Sequence, residues 1–293
     1  MLGEKLKMIR KQADMSQEKL AEKLGVSRQA ITKWETDAGM PDIENIMAIS
    51  TLFDISMDEL LWEKRAAKKA SDYLFESVTE YDIAEPKRYD IKLGGAKQVT
   101  LSAYDGEKLC VRLASNTLST LQQDLKVRID DVRSRLDVEL IRQNGVTEAA
   151  AKEAVAIFVQ LPQRYLGKLE LAAHADTVAL SSLSCESIEL NLKSRSVTLS
   201  DVVGTVEIDC NLDMNIVCHS LQGSVDINQL SATSRISIPE GTPFCAVAKG
   251  IGNSISYEKD GKAAPAFDTP HAENVIELNG MKSELVICTA ARE

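Results

Sequence analysis

The apolar positions of this 293-residue chain change period partway along it. Up to about residue 62 they recur at helical spacing, and from about residue 90 they alternate. Leu2, Leu6 and Ile9 mark a first helix, and Leu20, Ala21 and Leu24 mark a second, with Ser16 placed to cap it. Gly25 permits a sharp turn, Ser27 caps a third helix, and Ile31 and Trp34 face its inner side. Gly39-Met40-Pro41 breaks the chain before a fourth apolar stripe, Ile43, Ile46, Met47, Ile49 and Phe53. Ser56-Met57-Asp58-Glu59 reads as a capping box that opens a fifth, short helix.

Residues 63–89 read as a helical linker. Ala67, Ala70, Leu74, Val78 and Tyr81 share one helical face, either leaning on a neighbouring domain or pairing two chains, and Pro86 closes the segment. Strands then follow at Val99-Thr100-Leu101-Ser102, Leu109-Cys110-Val111-Arg112-Leu113, Leu125-Lys126-Val127-Arg128-Ile129 and Leu136-Asp137-Val138-Glu139-Leu140. Gln143-Asn144-Gly145 is a break that departs from this pattern. Residues 147–154 are a loop or a helical turn, and a further strand ends at Leu161-Pro162.

After Gly167 the sequence repeats. Copies opening at Ser187, Thr205 and Ser224 end at Gly204, Gly223 and Gly241, with glycine steps of 19 and 18 residues, and Lys168-Leu169-Glu170-Leu171 is an earlier degenerate copy. Each copy holds two short alternating strands. One copy cannot bury its own apolar face, so copies must stack on one another. Aromatics make up only 4% of the chain, which suits a narrow interior of branched aliphatics.

A formal net charge of -10 speaks at first against a polyanionic partner, but its distribution reverses that. Residues 1–33 carry eight Lys/Arg against four Asp/Glu, residues 1–70 balance at twelve each, and the remainder holds the whole deficit. Like charge keeps the later part off phosphates, while the first helices attract them. All six cysteines lie at or beyond Cys110, none in a CxxC pair, which predicts buried free thiols and a reducing compartment. No signal peptide and no apolar run of bilayer length is present in the sequence, so a cytoplasmic chain without membrane contact is expected.

The most specific signal runs from Met15 to Glu35. Small Ala21 sits where two helices cross, and Gly25 sits at the turn. Leu20, Leu24, Val26, Ile31 and Trp34 face inward, which forces Arg28, Gln29, Thr32 and Lys33 outward on the third helix. Such a helix fits the major groove of duplex DNA. These residues resemble the Cro/cI-type (XRE) helix-turn-helix family, over roughly residues 2–62. The resemblance implies that Arg28, Gln29 and Lys33 read bases with Thr32 beside them, and that Gln17 and Ser27 anchor phosphates. It also implies an ion pair, Arg10 with Glu35, that joins the first and third helices. An Arg bonds bidentately to guanine and a Gln to adenine, whereas Lys33 suits a guanine or a phosphate. Residues 90–290 resemble a bacterial β-strand-repeat domain often labelled adhesin-like, on the repeats, Leu161-Pro162 and the closing stretch Glu273–Leu285.

The expected architecture is multidomain α + β. A five-helix helix-turn-helix bundle occupies 1–62, a linker helix lies within 63–89, and an all-β repeat domain, a β-solenoid or rolled sandwich, occupies 90–293. The expected function is a sequence-specific transcription regulator on double-stranded operator DNA, acting as a homodimer or higher homo-oligomer. An unidentified effector or protein partner is expected for the β domain. The competing expectation is a β-repeat scaffold whose helical module is an interaction surface. Cys218-His219 suggests no metal site, because strand neighbours point to opposite faces, and His174 and His271 are isolated surface or turn residues. No cofactor or catalytic grouping is expected. Neither a Ser-Lys self-cleavage context nor the acids and aromatics of a solenoid lyase can be recognised.

Overall fold

A computed structural model describes residues 2–13, 15–36, 38–53 and 73–290, which divide into two compact units, Met1–Asp72 and Tyr73–Glu293. The first unit contains α1 (Leu2–Gln12), α2 (Gln17–Leu24), α3 (Arg28–Glu35) and α4 (Ile43–Phe53). Its core is the set read from the period: Leu6, Leu20, Ala21, Ile31, Trp34, Ile46 and Ile49 are buried together. Met47 departs from expectation and is 54% exposed. Ile46 and Ile49 set the inner face of α4, and Met47 is rotated about 100° from Ile46 around the helix axis. The capping box at Ser56–Glu59 lies outside the described residues, as do Ala67 and Ala70 of the linker. Six α-helices stand among the described residues, the other two being α5 (Leu121–Asp124) and α6 (Glu148–Ala154) in the second unit. None of the described helices is long and apolar enough to cross a membrane.

One buried ion pair locks α3 to α1. Arg10 Nε meets Glu35 Oε1 at 2.5 Å, and Arg10 Nη2 donates to Glu35 Oε2 at 3.0 Å. Arg10 Nη1 donates to the carbonyl of Met15 at 2.7 Å, so the same guanidinium also holds the α1–α2 connection. Burial pushes the Glu35 carboxyl up, but hydrogen bonds from Arg10 and Gln17, with the charges of Arg10 and Lys7, hold it below its ordinary range.

The second unit is a sixteen-stranded sheet. Its first half runs β1 (Phe75–Asp82), β2 (Lys87–Tyr104), β3 (Lys108–Ser115), β4 (Leu125–Val132), β5 (Arg135–Arg142), β6 (Ala156–Pro162), β7 (Leu166–Lys193) and β8 (Ser196–Asp209). Then follow β9 (Asn215–Cys218), β10 (Gln222–Leu230), β11 (Thr233–Pro239), β12 (Cys245–Ala248), β13 (Ser254–Lys259), β14 (Lys262–Ala264), β15 (Val275–Met281) and β16 (Glu284–Ala290).

The first of these strands corrects the linker reading, because residues 75–82 are extended rather than helical. β1 pairs antiparallel with β3 from Phe75↔Ser115 to Asp82↔Lys108. Phe75 and Tyr81 pack on the core while Leu74 and Val78 of the supposed helical face are 77% and 54% exposed, so the working period is two. Phe, Val, Thr and Tyr within eight residues favour the strand. Cross-strand charges fix it further, with Arg112 on Glu76 at 2.8 Å and Lys108 on Glu80 at 3.4 Å. Residues 148–154 resolve to a helix, capped by Thr147 Oγ1 accepting from Ala150 N.

From β7 onward the strands pair parallel, one repeat on the next, apart from the antiparallel β13–β14 hairpin. Val178, Val197, Ile216, Ile236 and Ile287 form one buried column, and Ile188, Val206, Val225 and Ile276 another. The repeat glycines are required by the same stacking. Gly204 and Gly223 are register partners at φ 125° and 120°, and a Cβ on Gly223 would stand 2.2 Å from the Gly204 carbonyl oxygen. Gly241 does not continue this column; it sits in a turn at φ 79° with nothing within 4 Å of a Cβ built on it, and the strands before and after it do not pair with each other. The closing segment, β15 and β16, is inserted between them. β15 lies between β10 and β12, and β16 lies between β11 and β13.

In-register stacking also aligns charge. Asp137, Asp90 and Glu170 are register partners in one row, and Glu189, Glu207, Asp226 and Glu277 are partners in another. Arg135, Lys92 and Arg88 compensate the first row, and Lys249 pairs with Glu277. Glu189, Glu207 and Asp226 make no salt bridge among the described residues. The hydrogen bond shared with Glu170, together with burial and neighbouring negative charge, pushes the Glu189 carboxyl up. Burial, then Glu277 and Glu207, pushes Asp226 up.

Two stability predictions of opposite sign follow from these carboxylates. Glu35→Gln leaves Arg10 buried without its charge partner and should destabilise the first unit by about 3 kcal/mol. Because the folded Glu35 value is depressed, its contribution is present above its ordinary 4.5 and is lost as pH falls through the folded value. Both tryptophans, Trp34 and Trp62, precede residue 72, so tryptophan fluorescence during denaturation reads this unit. Unchanged fluorescence midpoints for Glu35→Gln would refute the clamp. Glu189→Gln should instead stabilise the second unit at neutral pH by about 0.5 kcal/mol, since like charges in register repel. Its folded value is raised, so the penalty is full above that value and fades as pH falls toward 4.5. Circular dichroism melts at neutral and acid pH check this, and a gain that persists in acid would contradict it.

Candidate nucleic-acid interface

The exposed side of α3 is built by two caps and a turn. Ser16 Oγ accepts from Lys19 N at 3.1 Å to start α2, and Ser27 Oγ accepts from Ala30 N at 3.2 Å to start α3. Between them Gly25 takes φ 68°, and Val26 N closes back on the Ala21 carbonyl at 3.0 Å. Nothing lies within 4 Å of a Cβ built on Gly25, so the glycine is demanded by backbone conformation rather than space. With Ile31, Trp34 and Glu35 buried, Arg28, Gln29, Thr32 and Lys33 are all exposed, as the pattern predicts. Lys7, Lys11, Lys19 and Lys23 are exposed on the same unit.

The four outward side chains are not equivalent. Arg28 and Lys33 form no ion pair among the described residues. The Thr32 hydroxyl donates to the Arg28 carbonyl at 3.0 Å and lies 3.4 Å from Gln17 Oε1. Its proton is therefore engaged by the protein, and the methyl group and the oxygen lone pairs are what it offers outward. Gln17 is half-buried. Its Nε2 donates to Glu35 Oε2 at 2.8 Å, so its amide braces the Arg10–Glu35 pair against Thr32. Ser27 is exposed, with its side chain on the first turn of α3, where unpaired backbone N–H groups favour an anion.

The sequence did not disclose the Gln17–Glu35–Thr32 bridge, whose members lie 15 and 18 residues apart. No short-range spacing encodes it. Only the crossing of α2 and α3 brings the three groups together.

A helix-turn-helix family model matches residues 6–60. The transcriptional activator BcrR of Enterococcus faecalis is 48% identical over 59 residues, 20% of this chain and 29% of that protein. This chain therefore spans less than a third of BcrR. The transcriptional regulator ImmR of Bacillus subtilis is 32% identical over 92 residues, 31% of this chain and 72% of ImmR. Among solved structures, a candidate cell adhesion protein from Clostridium sporogenes aligns over 74% of this chain and 99% of its own length, at 10% identity and a TM-score of 0.37. On the capped α2–turn–α3 pair and the ImmR match, this chain belongs to the helix-turn-helix family of transcriptional regulators.

Proposed function

We propose that the chain is a cytoplasmic, sequence-specific regulator that binds a palindromic double-stranded operator as a dimer, with α3 in the major groove. The observation that carries this reading is the exposure of Arg28, Gln29, Thr32 and Lys33 on one face of a helix that Arg10–Glu35 locks in place. Arg28 and Gln29, at the start of α3, read base edges, and Lys33 takes a guanine or a phosphate. Thr32 contributes its methyl group to a thymine. Gln17 and Ser27 fix register at the phosphates, Gln17 from the first turn of α2 through the N–H groups its bridge leaves over.

One module offers few contacts, so two copies on half-sites about one helical turn apart supply the affinity. The β unit senses an effector, oligomerises or docks a partner. Its parallel, in-register coils favour a β-solenoid over a rolled sandwich.

Selection of bound sequences from a random duplex pool should return a two-fold symmetric site whose affinity falls steeply with salt. Arg28→Ala should cost about 1–3 kcal/mol on that site and relax one base position. Equal affinity for all sequences, untouched by Arg28→Ala, would remove the regulator reading.

A further inference from the structure

The break at 143–154, foreign to the repeat, has a structural product. α6 forms one wall of a shallow depression on the β unit, through Glu148, Ala149, Lys152 and Glu153. Three adjoining hollows, about 470, 530 and 540 Å³, share His174 and Lys193 and so form one continuous surface. Small residues open it at one end, Gly94, Ala172 and Ala173, and Leu192 and Leu212 extend the apolar floor toward the other. The depression is open to solvent, with Leu192 and Leu212 to supply apolar contact and a few polar groups to supply orientation.

The polar groups are unequally engaged. Lys92 meets Asp90 at 3.1 Å, and Lys152 meets Asp176 at 3.3 Å. His174 Nδ1 lies 3.1 Å from Glu148 Oε1, which holds the imidazole against α6. Of the other carboxylates on the lining, Asp209 accepts from Asn228 Nδ2 at 2.9 Å and Glu153 stands on α6, while Lys193, common to all three hollows, has no carboxylate within 4.0 Å among the described residues. An uncompensated ammonium beside an apolar floor is suited to an oxyanion carried on an apolar body.

We propose that this depression binds a small organic anion, a carboxylate, sulfonate or phosphate on an apolar skeleton, with Lys193 as its charge partner. Such a ligand gives the sensing role a site and a chemical class. It engages the β unit directly, so the experiment needs no DNA, and its failure would leave the operator reading standing.

The test uses the full chain and the fluorescent probe anilinonaphthalene sulfonate, displaced by octanoate or by octylamine. Saturable binding is expected, reversed by octanoate and not by octylamine. Lys193 is exposed, so Lys193→Glu should leave the fold intact and weaken the probe at least about tenfold, the loss of one charge-assisted contact. Lys193→Arg should retain binding, and Lys168→Glu, at another exposed lysine, should leave it unchanged. Probe held instead by the exposed column of Leu230, Met281 and Ile251 would ignore the Lys193 change. That outcome, or equal displacement by the amine, overturns the assignment.

Discussion

A single repeat of the β unit cannot bury its own apolar face, and most of the second unit follows from that constraint. A lone repeat buries little, so each one completes its apolar surface by pairing parallel with its neighbours. Register then dictates chemistry at every column. Inward columns collect Val, Ile and Leu, because identical branched side chains stack at strand spacing without leaving gaps. Corner columns demand glycine where one backbone passes within contact of the next, as at Gly204 and Gly223. Outward columns inherit whatever the repeat carries, and here the row through Glu207 stacks like charge on like charge. Repetition that organises the interior thus imposes repulsion on the surface.

The helix-turn-helix unit solves the opposite problem. Among the described residues its core is seven buried apolar residues drawn from all four helices, α1 to α4, and a polar clamp adds orientation. Arg10, Glu35, Gln17 and Thr32 form a chain of bonds from α1 through α2 to the exposed edge of α3. The angle at which α3 presents Arg28 and Gln29 is therefore coupled to groups that lie behind it. A rigid backing of this kind leaves α3 little freedom to reorient.

Much of this was legible in the residues, for a physical reason in each case. Period and capping chemistry located α1 to α4, since Ser16, Gly25 and Ser27 each perform a local task that few other residues can. Alternation located β2 to β6 in the same way. What escaped were features decided by distant partners. Residues 75–82 look helical by the spacing of Leu74, Val78 and Tyr81, yet pairing with β3 overrides that weak pattern. Met47 has the right composition for the core and the wrong rotation for it. Gly241 ends a sequence repeat but sits in a turn outside the glycine column, and the insertion of β15 and β16 after it depends on chain threading rather than on composition. The outward set on α3 was legible because exclusion from the core determines it, whereas the Gln17 bridge needed two helices already crossed.

That insertion bears on how the protein comes off the ribosome. The strands at Cys245–Ala248 and Ser254–Lys259 are synthesised before residues 275–290, yet in the finished molecule they rest on those later residues. Until residues 275–290 have emerged, β12 and β13 have no template, and β10 and β11 present unsatisfied backbone edges. The far end of the β unit is thus assembled out of translational order. Nascent chains that stall before residue 275 would carry exposed strand edges that β15 and β16 later cover.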